Sequence, residues 1–260
     1  MANNLGFQIY TVRNVVEANP LAILKAIQQI GYREIECTAD NLEKIWPALQ
    51  QTSLKPVSLH TGKSMFTPDG RIFLPGILDI AKQRGFQYVV VPSLPIAQNG
   101  AAGVKEFADQ LNRHGEQAKA SGLTLCYHNH AHDFTSIDGV PALQMLLDET
   151  DPKLVQLEMD IFWVSVAGHD PVAALDAHKG RVPLLHLKDK AAGTPIQFDE
   201  HVPHEAFKEV GSGSIDISAV LKAADKAGVR HYFVEQDQTP GDPIISLRQS
   251  YQYLKPIFPS

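Results

Sequence analysis

A chain of 260 residues with 44% hydrophobic side chains can bury a large core, and α/β barrels of this size run undivided. A formal net charge of -6 and a pI near 6.0 leave no basic face for a phosphate backbone, so nucleic acid is not an expected partner. Two cysteines, Cys37 and Cys126, both in apolar strand-like runs, exclude a disulfide framework and a thiolate zinc site, and read as reduced core thiols.

The start, MANNLGFQIYTVRN, lacks the basic opening and continuous apolar stretch of an export signal, and no segment approaches the ~18 apolar residues of a membrane span. No membrane partner and a cytoplasmic location are expected, although an export signal removed beforehand leaves no trace. In chain order, GFQIYT (6–11) reads as a strand and PLAILKAIQQIG (20–31) as a helix. REIEC (33–37) and PVSLHT (56–61) are the next strands, followed by the helix LPGILDIAKQRG (74–85), the strand YVVVPS (88–93) and the helix VKEFADQLNRHGEQAKASG (104–122). The second half repeats the pattern with LTLCYHNH (123–130), the helix VPALQMLLDET (140–150), LVQLEMD (154–160), VPLLHLKD (182–189), the helix DISAVLKAADKAG (216–228) and HYFVEQD (231–237). Such alternation marks parallel βαβ units, and eight of them predict an α/β fold, a single (β/α)8 TIM barrel over residues 1–260. Gly31, Gly85, Gly122 and Gly228 each separate a helical segment from a strand, where a left-handed glycine ends a helix. An open doubly wound sheet would need a glycine-rich turn after the first strand, and VRNVVE stands there instead. GSGSID (211–216) reads as a flexible turn with a capping Ser or Asp, or by analogy with other barrels as a phosphate cradle. The irregular stretch Ala191 to Ser214 has the length of a lid.

Side chains alternate along a strand, so residues i and i+2 share a face. In LVQLEMD the apolar set Val155, Leu157 and Met159 suits a layer of helices, which turns Gln156, Glu158 and Asp160 toward the barrel axis. The same parity points His128 and His130, His186 and Lys188, and Glu235 and Asp237 inward, with Gln8, Tyr10, Glu36 and His60 on the earlier strands. All lie near carboxyl ends of strands, the face on which barrels build chemistry. Glu36, His60, His128, Asp160, His186 and Glu235 are separated by 24, 68, 32, 26 and 49 residues, which is one βα unit per step, two for the 68, and one with the long loop for the 49. Oxygen and nitrogen donors converging from successive strand ends are what a hard or borderline divalent cation requires. Such a cation also offsets the buried charge of Glu158 and Asp160. Taken singly, Glu36, His60 and His130 read first as hydrogen-bonded core groups. Lys188 reads either as the counter-ion of Glu158 or Asp160 or as a substrate contact, and Trp163 either as core or as a platform for a sugar ring. His132, His169, His201 and His204 lie in polar loops and read as solvated.

The motifs GFQIYTVRN, GYREIE, YHNHAHDF, EMDIFWVSVAGHDP, HLKD and VEQDQTP, in this order over nearly the whole chain, resemble the sugar phosphate isomerase/epimerase family. These are the xylose isomerase-like TIM barrels, which include tagatose epimerase, inosose dehydratase and endonuclease IV. The resemblance implies one divalent metal ion (Mn, Mg, Zn or Co) held by Glu, Asp, His and Glu from strands five to eight. On this chain the last three fall on Asp160, His186 and Glu235, whereas the first falls on His128. That departure removes a carboxylate which in the epimerases is both ligand and one of two proton-transfer bases. Glu158 stands two residues before Asp160 as a replacement, either as ligand or as base. The implied substrate is a small keto sugar that gives up a proton beside its carbonyl to Glu158 or Glu235. Return of the proton makes an isomerase or epimerase, the reading the whole-chain resemblance favours. Loss of a β-substituent, with His128, His130 or Lys188 as general acid, makes a dehydratase or a lyase of 3-keto-glycosides. Gln8, Tyr10, Glu36, His60, Trp163 and Asp237 are expected to contact the sugar, and a homodimer is expected by resemblance alone. A DNA-repair enzyme of the endonuclease IV type, which the acidic balance opposes, and a metal-free carbohydrate-binding barrel are the remaining readings.

Overall fold

The computed structural model describes residues 5–62, 74–92 and 99–258, so the first four residues of the N-terminal stretch and Ser93 of YVVVPS lie outside the described residues. Eight strands close into a barrel: β1 Leu5–Gln8, β2 Glu34–Thr38, β3 Lys55–His60, β4 Tyr88–Pro92, β5 Thr124–His128, β6 Val155–Asp160, β7 Leu184–Leu187 and β8 His231–Val234. Each pairs in parallel with the next, and β8 returns to β1. One outer helix follows each strand: α1 Pro20–Ile30, α2 Leu42–Leu49, α3 Pro75–Gln83, α4 Gly100–Ala120, α5 Ala142–Glu149, α6 Pro171–Ala177, α7 Ile217–Ala227 and α8 Pro243–Leu254. Local chemistry sets where several of them begin. Asn19, Asp170, Asp216 and Asp242 accept backbone N–H groups at the starts of α1, α6, α7 and α8, and proline opens α1, α6 and α8. At the other ends Gly85, Gly122 and Gly228 have φ of 75°, 78° and 90°, but Gly31 has φ of 131°, outside the left-handed helical region. Glycine is required at 31 for a second reason: a Cβ there would stand 2.2 Å from the Tyr251 hydroxyl on α8.

The alternation along the strands divides the core in two. Val155, Leu157, Met159, Leu185, Leu187, Tyr232 and Val234 pack in the large layer between strands and helices. Val57, Tyr88, Val90, Cys126, Leu184 and Phe233 form a small separate cluster. Val57 joins it because β3 carries a bulge, with Ile35 opposite Pro56 and Glu36 opposite Ser58. Both cysteines are buried free thiols, and burial pushes them up from the ordinary thiol range. Among the described residues, no helix is long and apolar enough to cross a membrane.

Two expectations for the second half change. The stretch Ala191 to Ser214 is not wholly irregular: Asp189–Lys190 pairs antiparallel with Phe207–Lys208, after a short turn at His204–Ala206. The GSGSID turn is no open phosphate cradle, because the chain fills it with a carboxylate of its own. Asp189 accepts from the N–H groups of Gly211 and Gly213 at 2.9 Å each and of Ile215 at 3.1 Å. Gly211 and Gly213 are exposed, so water can take over part of this role, and Asp189→Ala is expected to lower the unfolding free energy by about 1–2 kcal/mol in a denaturant titration.

Candidate metal centre

The strand register builds the site. Side by side across β5 and β6 stand His128 and Glu158, and across β6 and β7 stand Asp160 and His186. Asp160 ends β6 and caps the short helix Ile161–Val166, its Oδ1 accepting from the N–H groups of Phe162 at 2.9 Å and Trp163 at 3.2 Å. Asn129 clamps the Asp160 backbone from both sides, at 3.0 and 3.3 Å. Oδ2 is therefore left facing the cluster, 3.7 Å from His128 Nε2 and 3.8 Å from His186 Nδ1. Glu235 Oε2 lies 2.7 Å from that same His186 Nδ1. The opposite edges of the two imidazoles meet carboxylates: His128 Nδ1 is 3.0 Å from Glu158 Oε2, and His186 Nε2 is 2.9 Å from Glu36 Oε1 and 3.3 Å from Glu158 Oε2. The Gln8 amide donates to Glu36 Oε1. His60 is half-buried, with Nε2 4.0 Å from Glu158 Oε2. Lys188 Nζ sits among three carboxylates, 3.0 Å from Asp160, 2.8 Å from Glu235 and 2.8 Å from Asp237. Both readings of its counter-ion role pointed to Glu158 or Asp160; Asp160 is the one it touches.

These groups shift one another's protonation. Burial alone would raise Glu36, but His186 beside it holds the carboxyl at about 2. Glu235 is likewise held low against burial by Lys188 and His186. Glu158 is raised well above the usual carboxylate range by burial and by the neighbouring Glu36. Against burial, Glu158, Glu36 and Glu235 raise His186, and Asp160, Asp237 and Glu235 raise Lys188. Burial and the nearby His186 hold His128 low, and burial takes His60 down to about 4 and Asp237 up to about 6.

A divalent cation fits this donor set. The trios His128, Asp160 and His186; Glu36, Glu158 and His186; and His60, His128 and Glu158 each place ligand atoms within 4.8 Å of one another. Glu235 belongs to none of the three, although its carboxylate adjoins His186. Two buried carboxylate oxygens, Glu36 Oε2 and Glu158 Oε1, make no hydrogen bond, a state that native interiors rarely tolerate without an ion or water, whereas Asp160 Oδ2 is met by the Lys188 ammonium at 3.0 Å. Nitrogen and oxygen donors without thiolate suit Zn, Mn, Mg or Co.

Other expected site residues are placed less simply. β1 ends at Gln8, so Tyr10 is not an inward strand residue. It lies in the turn Ile9–Val12, 42% exposed, with the Arg13 guanidinium 3.9 Å above its ring. Arg13 in turn donates to the carbonyls of Tyr10 at 2.9 Å and Asp237 at 2.6 Å. Trp163 is 2% exposed and packs against Phe162 and Phe207, with the Lys188 ammonium 5.7 Å over its ring. His130 stands just past β5, its ring 4.9 Å from that of His128 and its Nδ1 without a partner. Asn129 and Asp133 escape parity reasoning because they face away from the axis, yet Asp133 fixes the His130 turn, accepting from its N–H and from Tyr127 Oη at 2.8 Å each.

His132 is no solvated loop residue. Its ring nitrogens lie 3.2 Å from Asp133 and 3.1 Å from Glu200, and against the cost of burial these carboxylates raise the imidazole to about 10. A folded-state value above the unfolded one of about 6.5 means that the stabilisation is full below pH 6.5 and is lost as pH rises through 10. The stability gap between wild type and His132→Gln should accordingly be widest near pH 6, at about 2 kcal/mol, and should shrink toward pH 10 in parallel denaturant titrations.

The pattern of xylose isomerase-like TIM barrels matches residues 24–257, and the chain belongs to that family. An inosose dehydratase of Geobacillus thermodenitrificans is 32% identical over 157 residues, which cover 56% of this chain and 52% of that protein. The chain thus spans about half the length of the curated relatives it matches. Among solved structures, a sugar phosphate isomerase/epimerase from Parabacteroides distasonis aligns with a TM-score of 0.77 at 22% identity, covering 98% of this chain and 94% of that one. IOLI protein with a binding zinc atom aligns with a TM-score of 0.74 at 18% identity, covering 98% of each chain.

Proposed function

We propose that this chain is a divalent-metal-dependent dehydratase that removes water from a small cyclic keto polyol of the inosose type. The observation that carries the reading is the pair Glu235 and Lys188, a carboxylate and an ammonium 2.8 Å apart at the carboxyl end of the barrel. His128, Asp160, His186 and Glu235 would hold the metal, which supplies Lewis acidity to the substrate carbonyl and so acidifies the neighbouring C–H.

A base must reach the substrate. The side chains of Glu158, Asp160 and Glu36 have no exposed surface, whereas that of Glu235 is 7% exposed. Its Oε2 faces His186 and Lys188, which leaves Oε1 for the substrate proton. As Glu235 takes the proton, the C–H electron pair becomes a C=C bond and the C–O bond on the next carbon breaks. The departing oxygen leaves as water with a proton from Lys188, which three carboxylates keep protonated. Hydroxide is a far stronger base than an amine and accepts it even from a raised ammonium. Glu235 then gives its proton from Oε1 to solvent and Lys188 regains one from water, which resets both groups.

Epimerisation requires a second base on the other face of the carbon. The position that the resemblance gives to that base is His128, and its Nδ1 is engaged by Glu158. The inosose dehydratase relatives favour elimination as well. Incubating the zinc- or manganese-loaded protein with keto-inositols in D2O tests the reading: loss of water with growth of enone absorbance is expected. Deuterium incorporation without loss of water would mean an isomerase or epimerase instead.

A further inference from the structure

The dehydratase reading leaves Glu158 without a task, although its side chain is fully enclosed in the cluster. We propose that Glu158 works through His128: it holds the imidazole in the tautomer that carries its proton on Nδ1 and so turns the lone pair of Nε2 toward Asp160 and His186. Glu158 is then a positioning residue, neither ligand nor base. The inference rests on the metal reading above.

A neutral imidazole has one N–H and one lone pair, so the partner of one nitrogen decides the role of the other. For His128 the partners are unambiguous. Nδ1 lies 3.0 Å from Glu158 Oε2, a hydrogen-bonding distance, while Nε2 lies 3.7 Å from Asp160 Oδ2, the spacing of two donors that share an ion rather than a proton. The β5–β6 register fixes this by placing His128 opposite Glu158 on the same face. His186 differs, with both nitrogens engaged: Nε2 is 2.9 Å from Glu36 Oε1, which Gln8 holds, and Nδ1 is 2.7 Å from Glu235 Oε2 and 3.8 Å from Asp160 Oδ2. Each imidazole is thus backed by a buried glutamate, and on His128 it is Nε2, 3.7 Å from Asp160 Oδ2, that lies beyond hydrogen-bonding distance. The arrangement also answers the departure at His128. A cation bound at Nε2 would favour the ionised form of Glu158, and a carboxylate hydrogen-bonded to an imidazole makes its free nitrogen a better donor, so Glu158 would pass toward the metal part of the negative charge that a glutamate at position 128 would have brought directly.

The test pairs a spectroscopic measurement with metal binding. In long-range 1H–15N correlation spectra of the metal-free protein, His128 is expected as the Nδ1–H tautomer, with its pattern becoming mixed in Glu158→Gln. Zinc affinity by calorimetry should fall 10–100-fold in Glu158→Gln at a stoichiometry of one, the cost typical of an outer partner, and turnover lost at limiting zinc should return at saturating zinc. Glu158→Asp, which draws the carboxylate back from Nδ1, should move affinity the same way and serves if the glutamine variant does not fold. Unchanged zinc affinity with turnover that no zinc restores would make Glu158 the base and overturn the proposal. His128 protonated on Nε2, with zinc binding abolished in Glu158→Gln, would make Glu158 a direct ligand and overturn it too. Wild-type protein that takes up no zinc, manganese or cobalt would instead bring down the metal reading, and this assignment with it.

Discussion

Replacing Asp160 with Asn is expected to abolish tight binding of a divalent ion while the barrel stays folded. The two oxygens of Asp160 have separate tasks: Oδ1 caps the helix after β6, and Oδ2 faces His128 and His186 and pairs with Lys188 Nζ at 3.0 Å. Asparagine can keep the cap through its carbonyl but presents an NH2 group, which cannot ligate, to the two imidazoles. It also removes a full negative charge from the shared point. Loss of an outer partner of a metal ligand costs 10–100-fold in affinity, so loss of a ligand that both imidazoles face should exceed about 100-fold. Dialysis followed by metal analysis, together with zinc calorimetry, reads the effect. The thermal midpoint of the metal-free variant should fall only slightly, because Lys188 keeps Glu235 and Asp237 as partners. Unchanged affinity would remove Asp160 from the metal shell.

The second large effect is expected from Lys188→Met. The ammonium is buried among Asp160, Glu235 and Asp237, and methionine of similar length leaves all three without their cation. Removing one partner of a buried ion pair costs about 3–5 kcal/mol, so metal-free Lys188→Met should be markedly less stable than wild type. Zinc should restore part of that loss, since the ion neutralises two of the same carboxylates. Turnover should fall by about 10²–10⁴ even in the zinc-loaded variant, the range associated with one acid or base group. A variant that loses stability but keeps turnover would confine Lys188 to the counter-ion role.

The barrel and the identity of its inward polar residues are legible in the sequence because alternation leaves a strong trace where one face is covered by helices. On β6 the apolar Val155, Leu157 and Met159 leave Glu158 and Asp160 nowhere to go but the axis. Parity loses its authority where the strand stops: Tyr10 lies two residues past the end of β1, in a turn, and stands at the rim over Arg13. A bulge defeats it in β3, where Val57 joins the inner cluster. Hydrogen-bond partners are less legible still. Nothing local shows that Asp189 fills the N–H groups of the 211–215 turn, or that Glu200, from a distant loop, meets His132. The division of labour between Glu158 and Glu235 depends on which carboxylate backs an imidazole and which adjoins an ammonium, and that is set by register across strands. The whole-chain resemblance favours an isomerase or epimerase, whereas the Glu235–Lys188 pair and the dehydratase relatives favour elimination.

X-ray absorption at the metal edge of the zinc-loaded protein tests the convergence of β5 to β8 most directly. One zinc per chain is expected, with two imidazoles and at least one carboxylate in its shell, one imidazole disappearing in His128→Ala and one in His186→Ala. A shell of water and carboxylate oxygens alone, unchanged in both variants, would show that the imidazoles at the strand ends do not hold the ion.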